Sequence, residues 1–238
     1  MTAMNLLAFD TSTERLSVAV QRADGRRWQH QGPGGAQASA ALIPAVQALL
    51  AQADLALGEL RAIVFGRGPG SFTGLRTACS VAQGLAFGAG VPVLPVDTLL
   101  AVAEAARQSH GAARVLALLD ARMGELYSAA YAHDATAGWR ALGGIAVGAP
   151  QALAVPLEAA GGGWVLAGNA FGPEVADRLP PALRGWPRIE AWPAASALLD
   201  LAPALLAAGQ AVSAAQALPL YIRDKVAQTT AERAAARG

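Results

Sequence analysis

The sequence predicts an α/β protein of two related halves, each a mixed sheet flanked by helices, with a cleft between them. Three observations carry this. An apolar run, Leu6 to Phe9, ends in Asp10, and another, Val115 to Leu119, ends in Asp120. Setting residue 120 on residue 10 puts Leu126 on Leu16 and brings Trp139 within one position of Trp28. After each such unit, helix-like and strand-like segments alternate. The halves are expected to be residues 1–108 and 109–238, with the last helix free to pack back on the first lobe.

The elements follow in order. Leu16, Val18 and Val20 alternate with Ser17, Ala19 and Gln21, the period of a half-buried strand. Asp24-Gly25 marks a hairpin turn, and a third strand runs through Trp28 to the loop Gly32-Pro33-Gly34-Gly35. A helix is predicted from about Ser39 to Ala53, a buried strand from Arg61 to Phe65, and a helix from about Thr73 to Phe87. Val91 to Val96 reads as a strand and Thr98 to Ser109 as a helix. The second half repeats the strand, turn and strand from Val115, with a turn near His133-Asp134. It continues with a helix near Pro150 to Ala160, a strand at Trp164 to Ala167, a short helix after Gly172 and a helix near Ala194 to Ala208.

Composition narrows the class of protein. Of 238 residues, 54% are hydrophobic and 15% charged, but much of the apolar fraction is alanine, and no run approaches the length of a membrane span. The run from Leu49 to Phe65 is broken by Asp54, Glu59 and Arg61. Met1 to Asp10 has no cationic region, so no secretory signal is expected. The single cysteine, Cys79, excludes a disulfide framework and a thiolate metal site; it reads as a small buried hydrophobe. The three histidines have no partner at helical spacing, so no metal site is expected. These features predict a soluble, cytoplasmic protein without membrane contact. Net charge is +1, with no basic surplus, so any contact with nucleic acid is expected to be shared with a partner.

Two segments carry candidate chemistry. Asp10, Thr11, Ser12 and Thr13 at a strand end offer hydroxyls and a carboxylate that fit phosphate or hydrated magnesium. The same residues fit an ordinary turn that bonds its own backbone. The second turn has Ala121 and Arg122 after Asp120, so hydroxyl donors are missing there. The segment Gly66-Arg67-Gly68-Pro69-Gly70-Ser71-Phe72-Thr73-Gly74 joins a strand to a helix. Ser71 is a candidate N-cap, and Arg67, Gly68, Gly70, Ser71 and Arg76 read as anion-binding or partner-docking residues. Neither a Walker A loop nor a dinucleotide fingerprint is present. No nucleophile elbow, zinc-protease motif or clustered His with Cys or Ser appears, so no catalytic residue is assigned.

The two helices of the first half are apolar around most of their girth. Leu42, Ile43, Val46, Leu49, Leu50, Val81, Ala82 and Leu85 are therefore expected to form a subunit interface.

Leu7-Ala8-Phe9-Asp10-Thr11-Ser12-Thr13, the stretch from Gly66 to Arg76, and Ala82-Gln83-Gly84-Leu85-Ala86 resemble the TsaB (YeaZ) family. So do Asp120-Ala121-Arg122-Met123-Gly124-Glu125-Leu126-Tyr127 and Pro219-Leu220-Tyr221-Ile222-Arg223, and the match spans essentially the whole chain. The resemblance implies the duplicated actin-like, Hsp70-like ATPase fold. It implies a subunit without catalysis of its own in bacterial synthesis of N6-threonylcarbamoyladenosine in tRNA. Such a subunit pairs with the TsaD transferase through its N-terminal helices, works with the TsaE ATPase, and reaches tRNA only through the complex. A homodimer of the isolated chain is an open alternative, as is ATP or ADP at a site shared with the partner. The competing reading is an independent small-molecule kinase or ATPase of the same fold. A dinucleotide-binding enzyme is disfavoured, because the chain opens on a three-strand meander before the glycine loop.

Overall fold

A computed structural model describes residues 4–156 and 162–223. The first lobe opens with β1 (Leu6–Asp10), β2 (Arg15–Gln21) and β3 (Arg27–Pro33), followed by α1 (Ala38–Gln52), β4 (Ala62–Gly68), α2 (Phe72–Ala89), β5 (Val93–Asp97) and α3 (Thr98–His110). The second comprises β6 (Arg114–Asp120), β7 (Leu126–Asp134), β8 (Gly138–Ala141), β9 (Ala146–Gly148), β10 (Trp164–Gly168), α4 (Pro173–Ala176), α5 (Pro181–Arg184), β11 (Arg188–Glu190) and α6 (Ala195–Ala207).

The first sheet has the order β3-β2-β1-β4-β5 and the second β11-β10-β6-β7-β8, with β9 also paired to β7. Read from their first strands, the two orders are the same. β1 pairs antiparallel with β2 and parallel with β4, as β6 does with β7 and β10. This is the duplicated, two-lobed α/β architecture expected from the repeated strand ending in aspartate.

The tryptophan correspondence does not hold. Trp28 lies across β2 from Val20, which lies across β1 from Leu7. Trp139 pairs with His133, whose N–H donates to the Ala113 carbonyl, beyond the start of β6. The two tryptophans therefore sit at different depths of their sheets. They also pack against different cores, because the β7–β8 hairpin is longer than the sequence offset suggests.

Each lobe lends a helix to the other. α3 packs its Leu99, Val102, Ala103 and Ala106 against β6, β7, β10 and β11. α6 packs Leu198, Leu199, Leu201 and Ala202 against β1, β2, β4 and β5. The second stretch of sequence, 109–238, is thus not confined to the second lobe. Covered by α6 on one face and by α1 and α2 on the other, β2 is buried on both faces rather than half-buried. Ser17, on the polar alternation, accepts the Ala195 N–H at 2.9 Å and so starts α6.

The helix ends follow their residues. α2 and α3 stop at Gly90 and Gly111, both left-handed, as C-terminal caps require. Of the predicted helix near Pro150 to Ala160, only a 3₁₀ turn at Pro150–Ala152 forms; residues 153–156 are not helical, and residues 157–160 lie outside the described residues. Among the described residues, no helix is long and apolar enough to cross a membrane.

Candidate functional site

The turn after β1 is an Asx turn. Asp10 Oδ1 accepts the Ser12 N–H at 2.8 Å and the Ser12 hydroxyl at 2.6 Å. Thr11 donates its hydroxyl to the Gly74 carbonyl at 2.7 Å, and the Thr13 hydroxyl accepts the Arg15 N–H at 3.2 Å. All four residues of the turn are buried. Asp10 is fully buried, and its Oδ2 has no hydrogen-bond partner among the described residues. Burial pushes its carboxyl up to about 6, against the pull of the two Ser12 bonds.

The glycine segment packs directly on this turn. The Ser71 N–H donates to the Ser12 carbonyl at 2.7 Å. A Cβ on Gly66 would stand 1.7 Å from Asp10 Oδ2, one on Gly70 2.5 Å from the Ser12 carbonyl oxygen, and one on Gly74 1.9 Å from that of Thr11. The glycines are there because the loop and the start of α2 lie directly on the turn. The Thr11, Ser12 and Thr13 hydroxyls and Asp10 Oδ1 are thus bonded within the turn and to its neighbours, while Ser12 and Thr13 also line the cleft.

The arginines are engaged as well. Arg67 donates from Nε to Asp97 Oδ1 at 2.6 Å, which ties β4 to the end of β5. Arg76 lies with its guanidinium 3.8 Å over the Phe72 ring and donates to the Tyr221 hydroxyl at 3.1 Å. Gly68 is buried, with Leu220 against it, and Ser71 is the exposed N-cap of α2, its hydroxyl making no cap bond. Arg67 and Arg76, expected to bind an anion or dock a partner, are thus each held by a bond from Nε within the protein.

A cleft of about 350 Å³ separates the lobes. Ser12, Ser71 and Phe72 stand on one wall, Asp120, Arg122 and Tyr127 on the other, and Tyr221 and Arg223 line it too. Asp120 Oδ1 accepts the Arg122 N–H at 2.8 Å, and its own N–H donates to Asn169 Oδ1 at 3.0 Å. Arg122 closes on Asp120 Oδ2 at 3.0 Å. Among the described residues, no three His, Cys, Asp or Glu side chains gather in a set able to hold a metal ion.

The expected interface residues divide. Leu42, Val46, Leu49, Leu50 and Ala82 belong to the buried core of the first lobe, with Val81 and Leu85 packed against it half-buried. Their spacing along α1 and α2 is the stripe that faces β1, β2 and β4, so they face their own sheet rather than a partner. Of that set only Ile43 is exposed, at 42%. The outward side of α1 carries Ala40, Ile43, Pro44, Gln47, Ala48 and Ala51; that of α2 carries Ser80, Gly84, Phe87 and Gly88. α1 contains no charged residue, and α2 contains one, Arg76. Phe87, at 85% exposure, is the most exposed of the large apolar residues described. Sequence reasoning missed it, although its place off the stripe Leu75, Ala78, Cys79, Ala82, Ala86 marks it as outward-facing. Cys79 is buried, and burial pushes its thiol up, away from nucleophile chemistry.

Comparison with known proteins places this geometry. Over 94% of its length the chain is 37% identical to the tRNA threonylcarbamoyladenosine biosynthesis protein TsaB of Escherichia coli (strain K12), covering 96% of that protein. The chain belongs to the TsaB family. A second relative of that description, from Bacillus subtilis (strain 168), is 34% identical over 54% of this chain and 55% of its own. The solved structure of YeaZ from Pseudomonas aeruginosa superposes with a TM-score of 0.83 at 42% identity, covering 92% of this chain and 99% of that one. Residues 30–156 also match the family model described as TsaD, tRNA N6-adenosine threonylcarbamoyltransferase. In this TsaB-family chain the turn at Asp10 and the glycine segment, which carried the resemblance, are structural contacts between β1 and α2.

Proposed function

We propose that this chain is a docking subunit, without a catalytic centre of its own, of the machinery that makes threonylcarbamoyladenosine in tRNA. The names of its TsaB relatives support the pathway. The role within it rests on one observation: an outer face on α1 and α2 that carries a single charge, Arg76, with Phe87 standing out of it. A surface helix pair ordinarily keeps a polar face, and an aromatic anchor amid small residues suits a partner's helices. The partner in this reading is TsaD, to which the chain's match over residues 30–156 points by kinship. TsaE joins the pair, tRNA is reached through the assembly, and the site of action is the cytoplasm. Without TsaD, the same face serves for pairing with a second copy of the chain.

The Asp10 turn supports the absence of catalysis, since the Asp10 carboxyl is fully buried and the Thr11 and Ser12 hydroxyls are bonded within the protein. Any ATP or ADP at a shared site would be held by the partner's side chains. The test is reconstitution of the tRNA modification with and without this chain, beside its own ATP hydrolysis. Modification that requires the chain, with no turnover by the chain alone, supports the reading. Turnover by the purified chain returns it to the kinase class.

A further inference from the structure

The segment Pro219-Leu220-Tyr221-Ile222-Arg223 is not used by the docking face, yet it touches both lobes. Upstream it is fastened to the first: the Val212 N–H donates to the Val93 carbonyl, and the Ala217 carbonyl accepts from Gln83 Nε2 at 2.8 Å. The Leu220 N–H donates to the Arg67 carbonyl at 2.7 Å. Its own carbonyl oxygen lies 2.5 Å from where a Cβ on Gly68 would stand, so only glycine at 68, held at φ +125°, lets the segment cross there. Tyr221 stacks on Phe72 with ring centroids 5.3 Å apart and receives the Arg76 bond.

One residue later the segment has changed lobe. Ile222 packs against the second lobe's core. Arg223 donates to the Glu125 carboxylate and approaches Met123 Sδ at 3.6 Å. The Arg223 side chain is 18% exposed, so this ion pair is more shielded from water than an ordinary surface pair.

The turn it grips is strained. Arg122, Met123 and Gly124 have φ of 62°, 56° and 72°, three consecutive left-handed residues of which two carry side chains. Local bonds hold the turn: Glu125 N–H to the Arg122 carbonyl, Ala121 N–H to the Glu125 carbonyl, and Arg122 to Asp120. The Arg223–Glu125 pair adds a contact from outside the turn to these local bonds.

We propose that residues 219–223 are a latch across the interlobe cleft, anchored on Phe72 and Arg76 by Tyr221 and fastened to the 120–125 turn by Arg223 and Glu125. Closed, it sets the width of the cleft and ties the start of α2 to the second lobe. Release at Arg223 lets the 120–125 turn relax and the lobes part.

Hydrogen exchange on the full chain tests this, comparing wild type, Glu125→Arg, Arg223→Glu and the double swap. Each single reversal is expected to raise exchange in both 68–76 and 119–126 by about tenfold, and the swap to restore most of the protection. Unchanged exchange in the single variants overturns the latch. So does a rise confined to 119–126, which would make the pair a local staple of the turn, or a swap that stays as open as its parents. If a reversal prevents folding, Glu125→Gln and Tyr221→Phe replace it. A smaller rise in both segments is then the supporting result, and no rise in 68–76 the contrary one.

Discussion

Asp10 and Asp120 make the same turn in the two lobes. Each ends the first strand of its sheet, and each accepts on Oδ1, at 2.8 Å, the N–H of the residue two positions on. Their surroundings differ: Asp10 is sealed under the start of α2, whereas Asp120 opens on the cleft beside Arg122. One duplicated unit has thus produced a buried structural carboxyl and an exposed one.

The sealed carboxyl makes stability depend on pH. Its raised value means that the folded state binds the proton more tightly than the unfolded chain does. The benefit is complete below pH 3.8 and is lost as pH rises through about 6. From 3.8 to about 6, at about 1.4 kcal/mol per pH unit, the loss is about 3 kcal/mol. Asp10→Asn is expected to flatten this part of the profile. Urea unfolding of both proteins at intervals from pH 4 to pH 8 checks it; parallel profiles would show that Asp10 is not the group responsible.

The glycines beneath α2 admit no side chain. Gly74→Ala puts a Cβ against the Thr11 carbonyl and Gly66→Ala puts one against Asp10. Each is expected to destabilise by about 3 kcal/mol, the upper range for overpacking against fixed backbone or a buried group. Gly84→Ala, where nothing lies within 4 Å of the new Cβ, should be neutral or slightly stabilising because it sits in α2. Thermal melting of the three variants separates these outcomes.

Charge placed in the stripe of α1 should unfold the first lobe rather than uncouple a partner. Val46 and Leu50 are 1% and 7% exposed, so Val46→Arg or Leu50→Arg would bury an unpaired guanidinium at a cost of several kcal/mol. Loss of the cooperative unfolding transition is the expected result. A folded variant with a native-like circular dichroism spectrum would show that the stripe can turn outward.

Much of the fold was legible in residue pattern. The apolar strands ending in aspartate, the Asp24-Gly25 hairpin and the alternation after Leu16 all fall where strands and turns are found. The helix predicted from about Ser39 to Ala53 is Ala38–Gln52. Period reports which residues share a face, but not what covers that face. The girth of α1 looked too apolar for one sheet, and Leu42 and Leu50 were therefore assigned to a partner. They lie in the lobe's own core, and the residues that remain outside are alanines, Ile43, Pro44 and the uncharged Ser39, Gln47 and Gln52. The hydroxyls after Asp10 showed the chemistry available without showing that Gly70 and Gly74 would lie on top of them. The return of the last helix, α6, to the first lobe was allowed for, but the loan of α3 to the second was out of reach, because it depends on which sheet the helix meets after the chain has turned.

Phe87 is the most exposed large side chain of the proposed docking face. The decisive measurement is the affinity of Phe87→Arg for TsaD by titration calorimetry, with the melting temperature of the variant measured alongside. The variant is expected to melt close to wild type and to bind about thirtyfold more weakly or worse, the scale of a hot-spot residue. Affinity equal to wild type in a folded Phe87→Arg variant would contradict the docking role.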